Sequence, residues 1–180
     1  MASKPATLPA ATEGFRPRKR LWAALGLFIV GAASYNAISD WRDTHGLLIN
    51  ASESLPNWAF VIHKTAVPKR GEYVFFVPPA DPLVIRHFGP QHQMFGKLVY
   101  GMPGDLVVHR GSDVIVAGKL VARMKPFTKT GEPLVAGPTG VIPQGCYFAG
   151  SPHADGFDSR YAAVGYACSK KIVGVGSSIL

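Results

Sequence analysis

KLVYGMPGDLVVHRGSDVIVAGKLVAR, residues 97–123, decides the fold. Short apolar runs rich in β-branched residues alternate here with turn residues, the pattern of strand, turn, strand. It predicts strands at 97–101 and 105–109, with Met102-Pro103-Gly104 turning between them. Asp113–Arg123 follows as a hairpin that reverses near Gly118-Lys119.

The same grammar continues outward. Further strands are expected at 59–64 (AFVIHK), 72–77 (EYVFFV), 146–149 (CYFA) and 171–175 (KIVGV). Pro78-Pro79, Pro82 and Gly89-Pro90 mark a loop between 78 and 95, and 125–145 is a second Pro/Gly-rich connection. The chain has 180 residues with 20 glycines and 15 prolines and no internal period, so many turns separate short strands. With 47% hydrophobic and 17% charged residues it has the material for one packed core. The expected fold is therefore mainly β: an antiparallel β domain over 50–180, reached through a connector at 40–49.

The first forty residues differ. Residues 1–20 read as a disordered tail carrying Lys4, Arg16, Arg18, Lys19 and Arg20 against Glu13. Half of the net charge of +8 sits there, and no basic stripe interleaved with aromatics appears elsewhere, so no nucleic-acid partner is expected. Leu21–Ser39 is an uncharged apolar run whose nineteen residues, as a helix, reach roughly across a bilayer core. The positive-inside rule makes 1–20 a cytoplasmic tail and places everything after Asp40 outside, with Trp22 and Trp41 at the two interfaces. A cleaved signal sequence is the rival reading, because Ala33-Ser-Tyr-Asn-Ala37 loosely fits a small-x-small cleavage site. Either way the β domain is exported. Cys146 and Cys168 then lie in an oxidising compartment, where they either pair or stay as two buried thiols.

Three segments hold candidate chemistry: Ser52-Glu53-Ser54-Leu55-Pro56, Lys97 to Asp105, and Asp158-Ser159-Arg160. Each alone has a plain explanation as a turn, a solvated lysine or a surface ion pair. Their order after a single apolar span, at separations of 43 and 61 residues, is more specific.

This constellation resembles the type I signal peptidase family and, within it, the TraF-like branch of conjugative transfer systems. The likeness covers the anchor and essentially all of 50–180. It implies a signal-peptidase-like β fold, serine-type endopeptidase activity without a cofactor or metal, and Ser54 as nucleophile with Lys97 as general base. Leu55 stands where the family commonly has methionine. The resemblance also implies that Ser52 adds its hydroxyl to the oxyanion hole. Gly101, Pro103, Gly104 and Asp105, with Asp158, Ser159 and Arg160, would brace the site. One departure stands out: where housekeeping members carry a serine that orients the lysine, this chain has Gly156. Another hydroxyl, a water, or a looser dyad must answer for that.

The pairing is physically sensible. A serine hydroxyl needs a base to remove its proton, and a lysine with an ordinary pKa of about 10.4 serves only when neutral. Burial among apolar neighbours, here Phe95, Leu98, Val99 and Tyr100, disfavours the ammonium. The backbone N–H of Ser54 is a further oxyanion donor. The six scattered histidines show no metal spacing and no nucleophile elbow.

The expected function is an endopeptidase on the outer face of a bacterial inner membrane. Its expected partners are an exported substrate, a pilin precursor above all, and components of a type IV secretion apparatus. The branch it resembles sometimes releases a cyclic product. A general signal peptidase, a non-catalytic membrane-tethered scaffold and a self-cleaving repressor-like protein are the competing readings.

Overall fold

The computed structural model describes residues 18–50, 55–90 and 94–179. The chain divides into two compact units, Met1–Asp40 and Trp41–Leu180. Most of the basic tail, together with Ser52, Glu53 and Ser54, lies outside the described residues.

Helix α1, Lys19–Thr44, runs through the predicted span without a break and buries none of its residues. Leu27 and Phe28 are about three-quarters exposed, so the helix presents apolar surface. It is long and apolar enough to cross a membrane, which is compatible with anchoring. The helix also outlasts its apolar run by several residues. Asp40, Trp41, Arg42, Asp43 and Thr44 continue it, and β1 (His45–Ile49) begins at the next residue. The segment 40–49, expected as a connector, is thus helix end and strand. Its polar residues hid the structure, because the strand is held by pairing with β2 (Ala59–His63) rather than by its own burial.

The rest is antiparallel β. The remaining strands are β3 (Tyr73–Phe76), β4 (Phe95–Gly101), β5 (Leu106–Arg110), β6 (Asp113–Val116), β7 (Lys119–Arg123), β8 (Gly140–Val141), β9 (Cys146–Gly150), β10 (Ala167–Cys168) and β11 (Ile172–Ser178). They form a seven-stranded sheet in the order β1-β2-β11-β3-β4-β9-β10 and a four-stranded sheet in the order β7-β6-β5-β8. The chain leaves the large sheet at Gly101 and enters the small one at Leu106. The hairpin reverses at Ala117-Gly118, one residue earlier than expected, with both residues at positive φ (49° and 78°).

Two apolar clusters flank the large sheet's centre. Val74, Phe76, Phe95, Val99, Tyr147 and Ala149 pack on one face, and Leu55, Phe60, Ile62 and Phe75 form another cluster. A third, with Val107, Val114, Val116, Ile142 and Phe148, joins the small sheet to the large one. Fully burying each such side chain contributes roughly 1.5–3 kcal/mol.

The two loops are more ordered than expected. The 78–95 segment contains helix α2, Pro82–Phe88. Asp81 caps it by accepting from the Leu83 N–H, Pro82 opens it and Gly89 closes it. Those signals were present in the sequence, and the surrounding prolines obscured them. In the 125–145 connection, Glu132 reaches Arg86 (3.5 Å) and His87 (3.4 Å) of α2 and thereby ties the loops together. Cys146 and Cys168 form a disulfide across β9 and β10.

Candidate active site

Lys97 is the third residue of β4, a strand whose alternate residues Phe95, Lys97, Val99 and Gly101 are buried. Period-2 alternation therefore carries the lysine inward with two apolar neighbours. Leu98 and Tyr100, which the sequence reading also placed around it, belong to the other face. The side chain is only 4% exposed, and its Nζ stands 5.7 Å from the centre of the Phe95 ring. Among the described residues no hydrogen bond to this amine is found. Burial lowers its pKa; the Asp158 carboxylate opposes the shift and the Arg160 guanidinium adds to it.

Those two charges cancel because they are committed to each other. Arg160 Nε donates to Asp158 Oδ1 at 2.9 Å and Nη2 to Oδ2 at 3.0 Å, a bidentate pair with neither residue more than 2% exposed. The remaining valences are satisfied too. The Ser151 and Arg160 N–H groups donate to the carboxylate at 2.8 and 3.1 Å. The guanidinium donates to the carbonyls of Ser151 (2.7 Å) and Arg123 (3.2 Å). Ser159, fully buried, accepts the Ala149 N–H at 3.0 Å through its hydroxyl and so locks this loop to β9. The pair expected to brace the site is more deeply buried than a surface ion pair would be.

The Gly101–Asp105 turn lies at the far end of β4. A Cβ on Gly101 would come within 2.5–2.9 Å of Ile142, Val116 and Phe148, so only glycine lets the strand end close onto the shared core. Gly104 has φ +92°, the left-handed turn position. Asp105 Oδ2 accepts the Met102 N–H at 2.6 Å and a bond from Arg70 at 2.5 Å. Partial desolvation pushes its carboxyl up, but these donors outweigh it and hold the pKa below the usual value. Pro103 sits half-buried in this turn.

Gly156 has a steric explanation. A Cβ there would lie 2.8 Å from Arg160 Nη2, 2.8 Å from Asp158 Oδ2 and 2.9 Å from the Ser151 Cβ. The space a serine would need is occupied by the ion pair and by Ser151. Sequence reasoning missed Ser151, since a serine after glycine in a loop carries no signal of burial, yet it is 1% exposed. Gly156 also lines a cleft together with Phe88, Phe157 and Tyr161.

The structure thus brings Lys97, Asp158, Ser159 and Arg160 together. It sets the Gly101–Asp105 turn and the disulfide apart, and Leu55, next to Ser54 in the chain, is buried against Phe75 with Cδ1 3.2 Å from the Cβ position of Gly96. A buried amine held below its ordinary pKa beside a buried ion pair is an arrangement chemically able to accept a proton.

Comparison with known proteins gives this arrangement a family. The signal peptidase model, peptidase S26, matches residues 20–180. Signal peptidase I V of Bacillus subtilis (strain 168) is 34% identical over 101 residues, 48% of this chain. The match spans 58% of that relative's length. The crystal structure of a signal peptidase I from Enterococcus faecalis V583 aligns with a TM-score of 0.39 at 22% identity, covering 61% of this chain and 97% of that one. The chain belongs to the peptidase S26 signal peptidase family, a family of serine endopeptidases.

Proposed function

We propose that this family member is a membrane-anchored endopeptidase in which Ser54 is the nucleophile and Lys97 the general base. The observation that carries the reading is the buried Lys97 amine with its lowered pKa, on a strand face otherwise apolar. A charged amine without a partner there would cost several kcal/mol, so the neutral, basic form is favoured.

In the reaction the Ser54 oxygen bonds to the scissile carbonyl carbon while its proton passes to Lys97. The tetrahedral oxyanion is met by the Ser54 N–H and the Ser52 hydroxyl. The carbon–nitrogen bond then breaks, and Lys97 returns the proton to the departing amine. Water attacks the acyl-enzyme and gives one proton to Lys97; the ester bond to Ser54 then breaks, Lys97 returns that proton to the Ser54 oxygen, and the released carboxylic acid ionises to solvent. If the substrate's own amine attacks instead, the product is a ring. Gly101, Pro103, Gly104 and Asp105 hold the end of the base's strand, while Asp158, Ser159 and Arg160 hold the loop beside it.

The membrane helix would hold the enzyme on the outer face of the inner membrane, where signal peptides present their cleavage sites, and tethering raises their local concentration. A narrow client such as a conjugative pilin precursor fits the TraF-like sequence around Asp158. The full-length chain in detergent, incubated with its pilin, tests the whole reading by mass spectrometry. Cleavage after a small residue, abolished in folded Ser54→Ala and Lys97→Ala variants, is expected. A product lighter by one water than the hydrolysed fragment identifies cyclisation. No cleavage by the wild-type chain, with both variants supporting transfer as well as wild type, returns the chain to the scaffold class, and cleavage that survives both substitutions rules out the Ser54–Lys97 dyad.

A further inference from the structure

The cleft that Gly156 lines has a volume of about 440 Å³ and lies between α2, the start of the 125–145 connection and the 155–157 loop. That is room for a large side chain and some of its own backbone. Phe88 stacks on Phe157 at 5.8 Å, and Phe157 on Tyr161 at 5.9 Å, so three lining rings fix one another. Phe127, at the edge, is 57% exposed. The rim is braced as well. Glu132 joins the connection to α2, and Asp155 pairs with Lys125 and with Lys129, the latter at 3.2 Å. The cleft is therefore preformed.

Two features specify what it would hold. Asp155 is one carboxylate between two ammonium groups, which leaves this edge a single positive charge, and the Lys129 side chain is 80% exposed. Tyr161 is only 3% exposed, and its hydroxyl oxygen accepts the Lys125 N–H at 3.0 Å. The phenol's own proton meets no acceptor among the described residues, and a buried donor favours any ligand oxygen that can take it. Rings, a surplus cation and a spare donor together fit an aromatic side chain followed by a carboxylate. The site also adjoins the candidate base: Phe88 packs on Phe95 at 4.9 Å, and that ring lies 5.7 Å from the Lys97 amine.

We propose that this cleft binds an aromatic-acidic segment of an extended polypeptide, of the type Phe-Asp. The ring enters among Phe88, Phe127 and Phe157, the carboxylate meets Lys129, and Tyr161 donates to a backbone carbonyl. That this polypeptide is the exported substrate, gripped away from its scissile bond, rests on the Ser54–Lys97 reading.

Calorimetric titration of the full-length chain in detergent with acetylated, amidated Ser-Phe-Asp-Ser should give a Kd of about 10–100 μM, roughly tenfold or more tighter than Ser-Ala-Ser-Ser. Phe127→Ala and Lys129→Gln, both at exposed positions, should each weaken binding about fivefold or more with Tm unmoved. Equal affinity for the two peptides, or undiminished binding in both variants, overturns the proposal. In a quenched fluorogenic peptide with an Ala-x-Ala site, an added Phe-Asp pair should lower KM about fivefold or more at constant kcat, an advantage the two variants lose. A KM unchanged at every spacing of the pair from the site overturns the assignment to substrate. Binding of the short peptide by a chain that cleaves nothing supports the cleft and sinks the peptidase reading, a distinguishable result.

Discussion

The two sheets put their charged residues to opposite uses. In the large sheet Lys97, and Asp158 and Arg160 beside it, are withdrawn from water almost completely. In the small sheet Lys119 opens β7 in solvent, and Arg123 pairs with Asp113 at 2.9 Å with side chains 74% and 36% exposed. The bonding distances are alike, since Arg160 also meets Asp158 at 2.9 Å. What differs is the medium. Water screens the outer pair to a contribution of at most about 1 kcal/mol, whereas the inner groups carry a desolvation cost that only complete hydrogen bonding offsets. Geometry alone therefore does not rank an ion pair.

Substituting the two lysines breaks the comparison most sharply. Lys97→Met should lower peptidase activity by about 10³-fold or more while leaving the fold intact, and Lys119→Met should leave the rate within about twofold. Equal effects at both positions would remove the distinction between the sheets. Next come the arginines. Arg160→Ala leaves Asp158 buried and unpaired and should cost about 3–5 kcal/mol by denaturant melt, against about 1 kcal/mol or less for Arg123→Ala. In the same Arg160→Ala variant the Asp158 charge acts on Lys97 unopposed, so the rising limb of activity should move to higher pH.

The disulfide belongs to the large sheet and closes a loop of sequence separation 22 that contains the buried ion pair. Replacing both cysteines by alanine should cost roughly 3 kcal/mol, read as a lowered Tm that reductant no longer changes. Smaller still is Gly101→Ala, where overpacking against Ile142, Val116 and Phe148 should cost about 1–3 kcal/mol. Its counterpart in the small sheet, Gly118→Ala, meets no neighbour and costs only about 1–2 kcal/mol of left-handed strain.

The gentlest test is stability against pH. The folded Lys97 amine has a pKa below its unfolded value near 10.5, so between the two the unfolded chain binds more protons. Stability should rise with pH through that window, and the penalty is complete below the folded pKa. Lys97→Met should abolish this component of the slope. A slope unchanged by the substitution would mean that the amine is solvated in solution.

Much of this was legible in the residues. Strands β2, β3, β4, β5 and β9 and the β6–β7 hairpin announce themselves by β-branched runs between turn residues, because that pattern is local. The apolar length of Leu21–Ser39 likewise needs no partner to be read. β1 was missed because its pairing partner lies ten or more residues away, and α2 because its cap signals sat among prolines. The order of the motifs identified the family and singled out Lys97, Asp158 and Arg160. Burial was beyond reach. Whether Lys97 is buried or solvated, and whether Asp158 and Arg160 pair in water or in the core, depend on strand register and on distant residues that exclude solvent. Side-chain chemistry is written along the chain, but the dielectric that governs it is assembled only when the sheets close.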